Sequence, residues 1–186
     1  MKFLLIILSL FSFVSSGQQI TNYETPGNLE SKYSLNCIKK EKVKNIYTPA
    51  DIYPPIAKCI KKKKYKRAID LFMIAGAYGY YDAFRVSDVS ARAAISALQA
   101  NNLWGLDEAK KLKFKEEFES YSKSEESMAN SCKFLTSLGK PNYHPSYMIN
   151  HGLKAVMGEG GDGLLPDYDS NSIWEDALKK YVKCKN

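Results

Sequence analysis

All four cysteines of the chain, Cys37, Cys59, Cys132 and Cys184, lie behind an N-terminal segment with the layout of a secretory leader. Lys2 supplies its positive charge, Phe3 to Val14 its apolar stretch, and Ser15, Ser16 and Gly17 the small residues that a signal peptidase accepts. The apolar run is too short to span a hydrocarbon core of about 30 Å, and a polar stretch follows at once. The expectation is cleavage near Gly17, a mature chain beginning at Gln18, and a fold completed in an oxidising space. No cysteine stands at the cleavage site, so no stable membrane anchor is expected. An even number of cysteines in an exported chain predicts two disulfides. Three pairings are possible. We favour Cys132 with Cys184, which pins the last helix to an earlier one, and Cys37 with Cys59, which ties an N-terminal arm to the first core helix. None of the spacings is CxxC, which argues against a redox site or a zinc knuckle.

The leader aside, the chain has the length of one domain with a single core. Its 45% apolar and 25% charged content is that of an ordinary globular protein. The organisation read from the sequence is a signal peptide over 1–17, an arm over 18–46 and one all-α domain over 47–186. The net charge of +7 is concentrated in two places. Lys39, Lys40, Lys42 and Lys44 form one group; Lys61, Lys62, Lys63, Lys64, Lys66 and Arg67 form a denser one. Such runs suit nucleic acid, an anionic membrane, an acidic protein, or nothing beyond a solvated turn. The first reading is a solvated turn between two helices; export argues against nucleic acid, and an acidic protein is the main alternative.

Helical periodicity recurs along the domain and no convincing strand pattern appears, so six or seven helices in antiparallel pairs are expected. Thr48, Pro49 and Asp51 make a helix start with a capping box. Pro54 and Pro55 predict a break and restart before the stripe Ile56, Cys59 and Ile60. Arg67 to Tyr78 places Ala68, Leu71, Phe72 and Ala75 on one buried face, and Gly79 is read as a left-handed stop. A second helix then runs from Asp82 to about Gln99, its small residues suiting a tight hairpin. Further helices are expected from Asp107 to Tyr121, after a Ser122–Glu125 capping box, over His144 to Met157, and after Ser172–Glu175. Gly139 with Pro141 gives a stop, and 158–169 reads as an acidic, glycine-rich loop.

The stretch AIDLFMIAGAYGYYDA, through Ala68, Leu71, Phe72, Ala75, Gly79, Asp82 and Ala83, resembles half of a Sel1-like repeat, a relative of the tetratricopeptide repeat. The resemblance covers about 16 residues. Ser87 and Asp88 stand where that family has Leu-Gly, and no second copy follows at repeat spacing. The resemblance implies a helical-repeat-like scaffold that binds protein, with the glycine turning the chain and Asp-Ala opening the next helix. It carries over no catalytic residue.

The residues assigned to binding are Lys61, Lys62, Lys63 and Lys64, the turn tyrosines Tyr80 and Tyr81, and Asp162 and Asp167 of the acidic loop. Tyrosine suits such surfaces because its broad ring buries area at low entropic cost. The sequence assigns no catalytic residue, no metal ligand and no cofactor. His144 and His151 stand seven apart, not the i, i+4 of metalloprotease pairs, and the nearby carboxylates lack the order of an EF-hand. The glycine-rich loop has neither a P-loop ending nor the dinucleotide fingerprint, and no G-x-S-x-G is present. The resulting expectation is an exported, periplasmic helical domain that binds another protein, as immunity or inhibitor-type proteins bind a secreted effector. The alternatives are a metal-assisted hydrolase built on His144 and His151, and a non-catalytic structural envelope protein.

Overall fold

A computed structural model describes residues 25–159 and 161–185; the leader lies outside them. The described residues form an all-α fold of eight helices closed by two disulfides. These are α1 (Pro49–Lys61), α2 (Tyr65–Arg85), α3 (Ala94–Leu103), α4 (Glu108–Lys123), α5 (Glu125–Leu138), α6 (Ser146–Ile149), α7 (Leu153–Val156) and α8 (Ser170–Asp176). Short 3-10 turns precede α1 and α3, and α8 runs on into a π-helical segment, Ala177–Tyr181. A single antiparallel bridge, Val86 to Leu164, is the only extended pairing among the described residues. No helix among them is long and apolar enough to cross a membrane.

The architecture centres on α2, against which α1, α4, α5, α8 and the π segment all pack. Where the sequence predicts one buried face, α2 is buried nearly all round: Ile69, Met73, Ile74 and Ala77 are covered as fully as Ala68, Leu71 and Ala75. Small residues make this possible. Gly76 lies against the ring of Tyr181 from the π segment, and Gly79 against Ile95 of α3. Gly79 therefore does not stop the helix. The turn implied there by the Sel1-like resemblance is absent, and Ala68 to Ala83 is one continuous helix. The missing Cβ serves interhelical contact rather than a positive φ. The expected tight hairpin between two successive helices does not form: α2 runs on to Arg85, a 3-10 turn capped by Asp88 follows, and α3 packs mainly against α1.

Two other boundaries differ from expectation. Pro54 and Pro55 do not divide α1, which is continuous from Pro49 to Lys61. Pro55 and its neighbours Tyr53, Ile56 and Ala57 are buried, so packing offsets the missing amide donors. The segment from His144 to Met157 is two single-turn helices separated by Asn150, His151 and Gly152. A Cβ on Gly152 would collide with the Asp88 carboxylate, and the amides of Leu153 and Lys154 bond to Ser90 and Asp88. Tertiary anchoring thus overrides helical continuity.

The Thr48–Asp51 capping box forms as expected. Asp51 Oδ2 accepts from the Thr48 amide at 2.7 Å, while Oδ1 accepts from the amides of Lys32 and Tyr33 at 2.6 and 2.9 Å. One buried carboxylate thereby caps α1 and docks the arm. The capping boxes expected at Ser122 and Ser172 are replaced by caps two and three residues away, from Ser124 and Asp169.

Both favoured disulfides are closed: Cys37–Cys59 with Cα atoms 4.8 Å apart, and Cys132–Cys184 with 5.5 Å. They indicate an oxidising, extracytoplasmic location. A buried ion pair holds the far end of α2. Asp82 Oδ1 accepts from Arg85 Nε and Nη2 at 2.9 and 2.7 Å, and Oδ2 accepts from the hydroxyls of Tyr143 and Tyr147 at 2.9 and 2.8 Å. Burial pushes the Asp82 carboxyl above its ordinary pKa, with Arg85 and the two hydroxyls opposing.

Because an added methyl at position 76 meets the Tyr181 ring, Gly76→Ala is expected to cost about 1–3 kcal/mol, despite alanine's better helix propensity. Gly79→Ala, which meets only the side-chain carbons of Ile95, costs less. Urea denaturation of the two variants checks the order.

Candidate binding groove

The two lysine groups, some twenty residues apart in sequence, meet in space. The reason is local. The Cys37–Cys59 bridge holds the arm against the last turn of α1, and Lys58 Nζ donates to the Leu35 carbonyl at 2.6 Å. The 3-10 turn Lys40–Lys42 therefore lies beside the start of α2. Lys39 and Lys40 come from the arm, Lys63 and Lys64 from the α1–α2 turn, and Lys66 and Arg67 from the first turn of α2. Together they line a surface cavity of about 490 Å³. A second hollow of about 420 Å³ shares Lys40, Lys66 and Asp70 with the first and continues along α5 past Lys133 and Phe134. The result is a shallow, elongated groove open to solvent. Seven cations line it against four carboxylates, Glu41, Asp70, Glu117 and Glu126.

The turn that carries the lysines is strained. The amides of Lys63 and Lys64 return to the carbonyls of Ile60 and Cys59 at 2.9 Å each, a Schellman motif. That motif needs a left-handed residue, and Lys63 takes it with φ +56° where glycine is usual. Four consecutive exposed lysines, one of them strained, form a costly way to build a turn, and such cost concentrates at functional places.

Asp70 forms the shared floor. Its side chain is 10% exposed and meets Lys40 Nζ at 3.6 Å, with the Tyr121 hydroxyl at 3.5 Å. Tyr121 is engaged more closely with Ser131, at 2.7 Å. Burial raises the pKa of Asp70 above the ordinary carboxylate value, and Lys40 opposes that rise. Lys40 also lies 5.3 Å from the centre of the Phe134 ring, a cation–π distance.

The other residues assigned from sequence lie elsewhere. Lys61 and Lys62 are exposed at the end of α1, outside the lining of the groove. Tyr80 and Tyr81 are not on a turn but within α2. Tyr81 is buried against Trp174 and Arg85, whereas Tyr80 is half-buried and stacks on Phe84 at 4.6 Å. Asp162 and Asp167 are exposed on the loop that the Ser87 amide and the Arg85 carbonyl hold beside the C-terminal end of α2. The lysine turn and the acidic loop therefore stand at opposite ends of a helix about 30 Å long, and do not form one contact surface.

The histidines are separate too. A ring nitrogen of His144 meets the Asp162 carbonyl at 2.8 Å, and His151 Nδ1 meets the Asn28 side chain at 2.9 Å. Among the described residues, no three His, Cys, Asp or Glu side chains are grouped to hold a metal ion. Sequence reasoning missed Asp70, Lys133 and Phe134. Asp70 follows Lys66 and Arg67 by four and three residues, so helical spacing placed it on their face.

Compared with protein-family models, curated proteins and solved structures, the chain matches none.

Replacing Lys63 by glycine relieves the left-handed backbone. Lys63→Gly is expected to raise stability by about 1 kcal/mol. Denaturant titration of this variant beside Lys62→Gly, whose backbone φ is negative, distinguishes relief of strain from loss of charge.

Proposed function

We propose that this is an exported binding protein whose groove takes an acidic segment of another protein. The observation that supports this most is the convergence of two separate lysine groups on one elongated hollow. Cations crowded at a concave surface raise the local potential and draw in anionic partners. The left-handed position of Lys63 adds support, since it keeps a lysine side chain where glycine would be the less costly residue for the cap. A periplasmic setting suits the leader and the disulfides, and an inhibitor of a secreted effector is one role for a domain of this size. The groove holds paired and unpaired charge rather than a nucleophile beside a base, which favours binding over catalysis.

The probe is a synthetic peptide of ten alternating Asp and Glu residues, titrated calorimetrically against the oxidised protein. Lys39→Glu with Lys66→Glu is expected to weaken binding at least tenfold. Lys179→Glu with Lys180→Glu, at the opposite end of the chain, preserves the same net-charge change and is expected to weaken it far less. Equal losses in the two variants would reduce the interaction to net charge and overturn the groove. Crosslinking in the native compartment, with wild type and the groove variant side by side, then identifies the partner.

Asp70 gives the pH dependence its sign. Its raised pKa means that it takes up a proton at higher pH than an ordinary carboxylate. As pH falls through that pKa, the floor loses a negative charge and the groove becomes more positive. Binding of a sulfated peptide, whose charge does not change over this range, is expected to strengthen with falling pH. Asp70→Asn is expected to bind more tightly at neutral pH and to flatten the profile.

A further inference from the structure

The turn between α3 and α4 displays a tryptophan. Trp104 is 76% exposed, and Leu112, one helical turn into α4, is 59% exposed. Trp104 is the most open large apolar side chain among the described residues, and indole is costly to leave in water. The turn beneath them is firmly built. Leu106 is buried, its amide bonds to the Leu103 carbonyl at 3.2 Å, and Asp107 caps α4 through the Lys110 amide at 3.1 Å. Trp104 is thus held outward by a fixed support rather than carried on a loose loop.

Lysines surround it. Lys111 Nζ donates to the Trp104 carbonyl at 3.1 Å and pairs with Glu108 at 2.6 Å. Lys110 Nζ donates to the Lys61 carbonyl at 3.2 Å, which brings the first turn of α4 against the exposed end of α1. Lys61, Lys62, Lys110 and Lys111 therefore share one end of the molecule with Trp104 and Leu112. The acids there are Asp107, engaged in its cap, Glu108, paired with Lys111, and Glu116 one turn beyond Leu112, paired with Lys113 at 3.5 Å.

We propose that this end docks on an anionic lipid surface, with Trp104 and Leu112 entering the interfacial region and the lysines meeting the head groups. Charge and chemistry favour this occupant over an apolar protein groove. An amphipathic indole belongs at the boundary between hydrocarbon and water. Shallow apolar anchors with a cationic collar are the recurring design of peripheral membrane binding. Lys61 and Lys62 lie outside the lining of the groove, so this surface is available while the groove is occupied.

The protein carries a built-in reporter. Of its two tryptophans, Trp174 is 9% exposed within the core and Trp104 is open. The experiment adds vesicles of phosphatidylglycerol with phosphatidylcholine, or of phosphatidylcholine alone, to the oxidised protein, and reads tryptophan emission and cosedimentation. The expected result is a blue shift and cosedimentation with the anionic vesicles only. Trp104→Ser is expected to abolish the shift and reduce partitioning at least tenfold, and Lys61→Gln and Lys110→Gln to reduce it roughly fivefold each. Leu112→Ser, which keeps the reporter, is expected to weaken partitioning and diminish the shift. Failure to cosediment with anionic vesicles overturns the proposal. So does equal binding to neutral ones, or partitioning left unchanged by Trp104→Ser.

Discussion

Enclosing α2 is the constraint that the rest of the structure obeys. A helix covered nearly all round has to be apolar or very small at almost every position, and its neighbours have to approach closely. Gly76 and Gly79 give Tyr181 and Ile95 room against the backbone. With its sides used for packing, α2 meets the outside mainly at its ends. Those ends differ in charge. The N-terminal end carries the lysine turn, and the C-terminal end stands beside the loop of Asp162 and Asp167. The helix dipole has the same sense, with roughly half an elementary charge of positive character at the lysine end and of negative character at the other. The molecule is electrically polar along its central axis.

The polar interior serves the same enclosure. Asp82 and Arg85 occupy the last turn of α2, where the helix enters a region lined by tyrosines. Each oxygen of the Asp82 carboxylate accepts two hydrogen bonds, so its lone pairs are used. Arg85 reaches further to the Tyr143 carbonyl at 2.9 Å and lies over the Tyr81 ring at 4.8 Å. Such a network is expensive to leave half made and tolerable when complete. It joins α2 to α6 and the segment before it, fixing where the central helix stops.

Much of the fold was legible in the sequence because its signals are local. Thr48 and Asp51 are three residues apart and cap each other whatever the rest of the chain does. Asp107 and Gly139 likewise mark helix ends without long-range help. The cysteines were legible because four of them behind a leader-like segment point to two disulfides, for which only three pairings exist. Gly79 was misleading, since a glycine among small residues signals a turn and a close helix contact equally well. What separates the two is Ile95, sixteen positions away. The break inside His144 to Met157 was hidden for the same reason, because Asp88 and Ser90 impose it. Of the groove, the two lysine groups were visible and their meeting was not. That meeting depends on the course of the arm, which follows from one disulfide and from Asp51, neither of which shows as periodicity.

The Cys37–Cys59 bond has a consequence beyond holding the arm. It keeps cations from two parts of the chain closer than their mutual repulsion favours. In a reducing cytosol that tether would open, leaving Asp51 and the Lys58 contact to resist the repulsion. The assembled groove is then a property that depends on oxidation, and the same covalent step that completes the fold arms a highly charged surface.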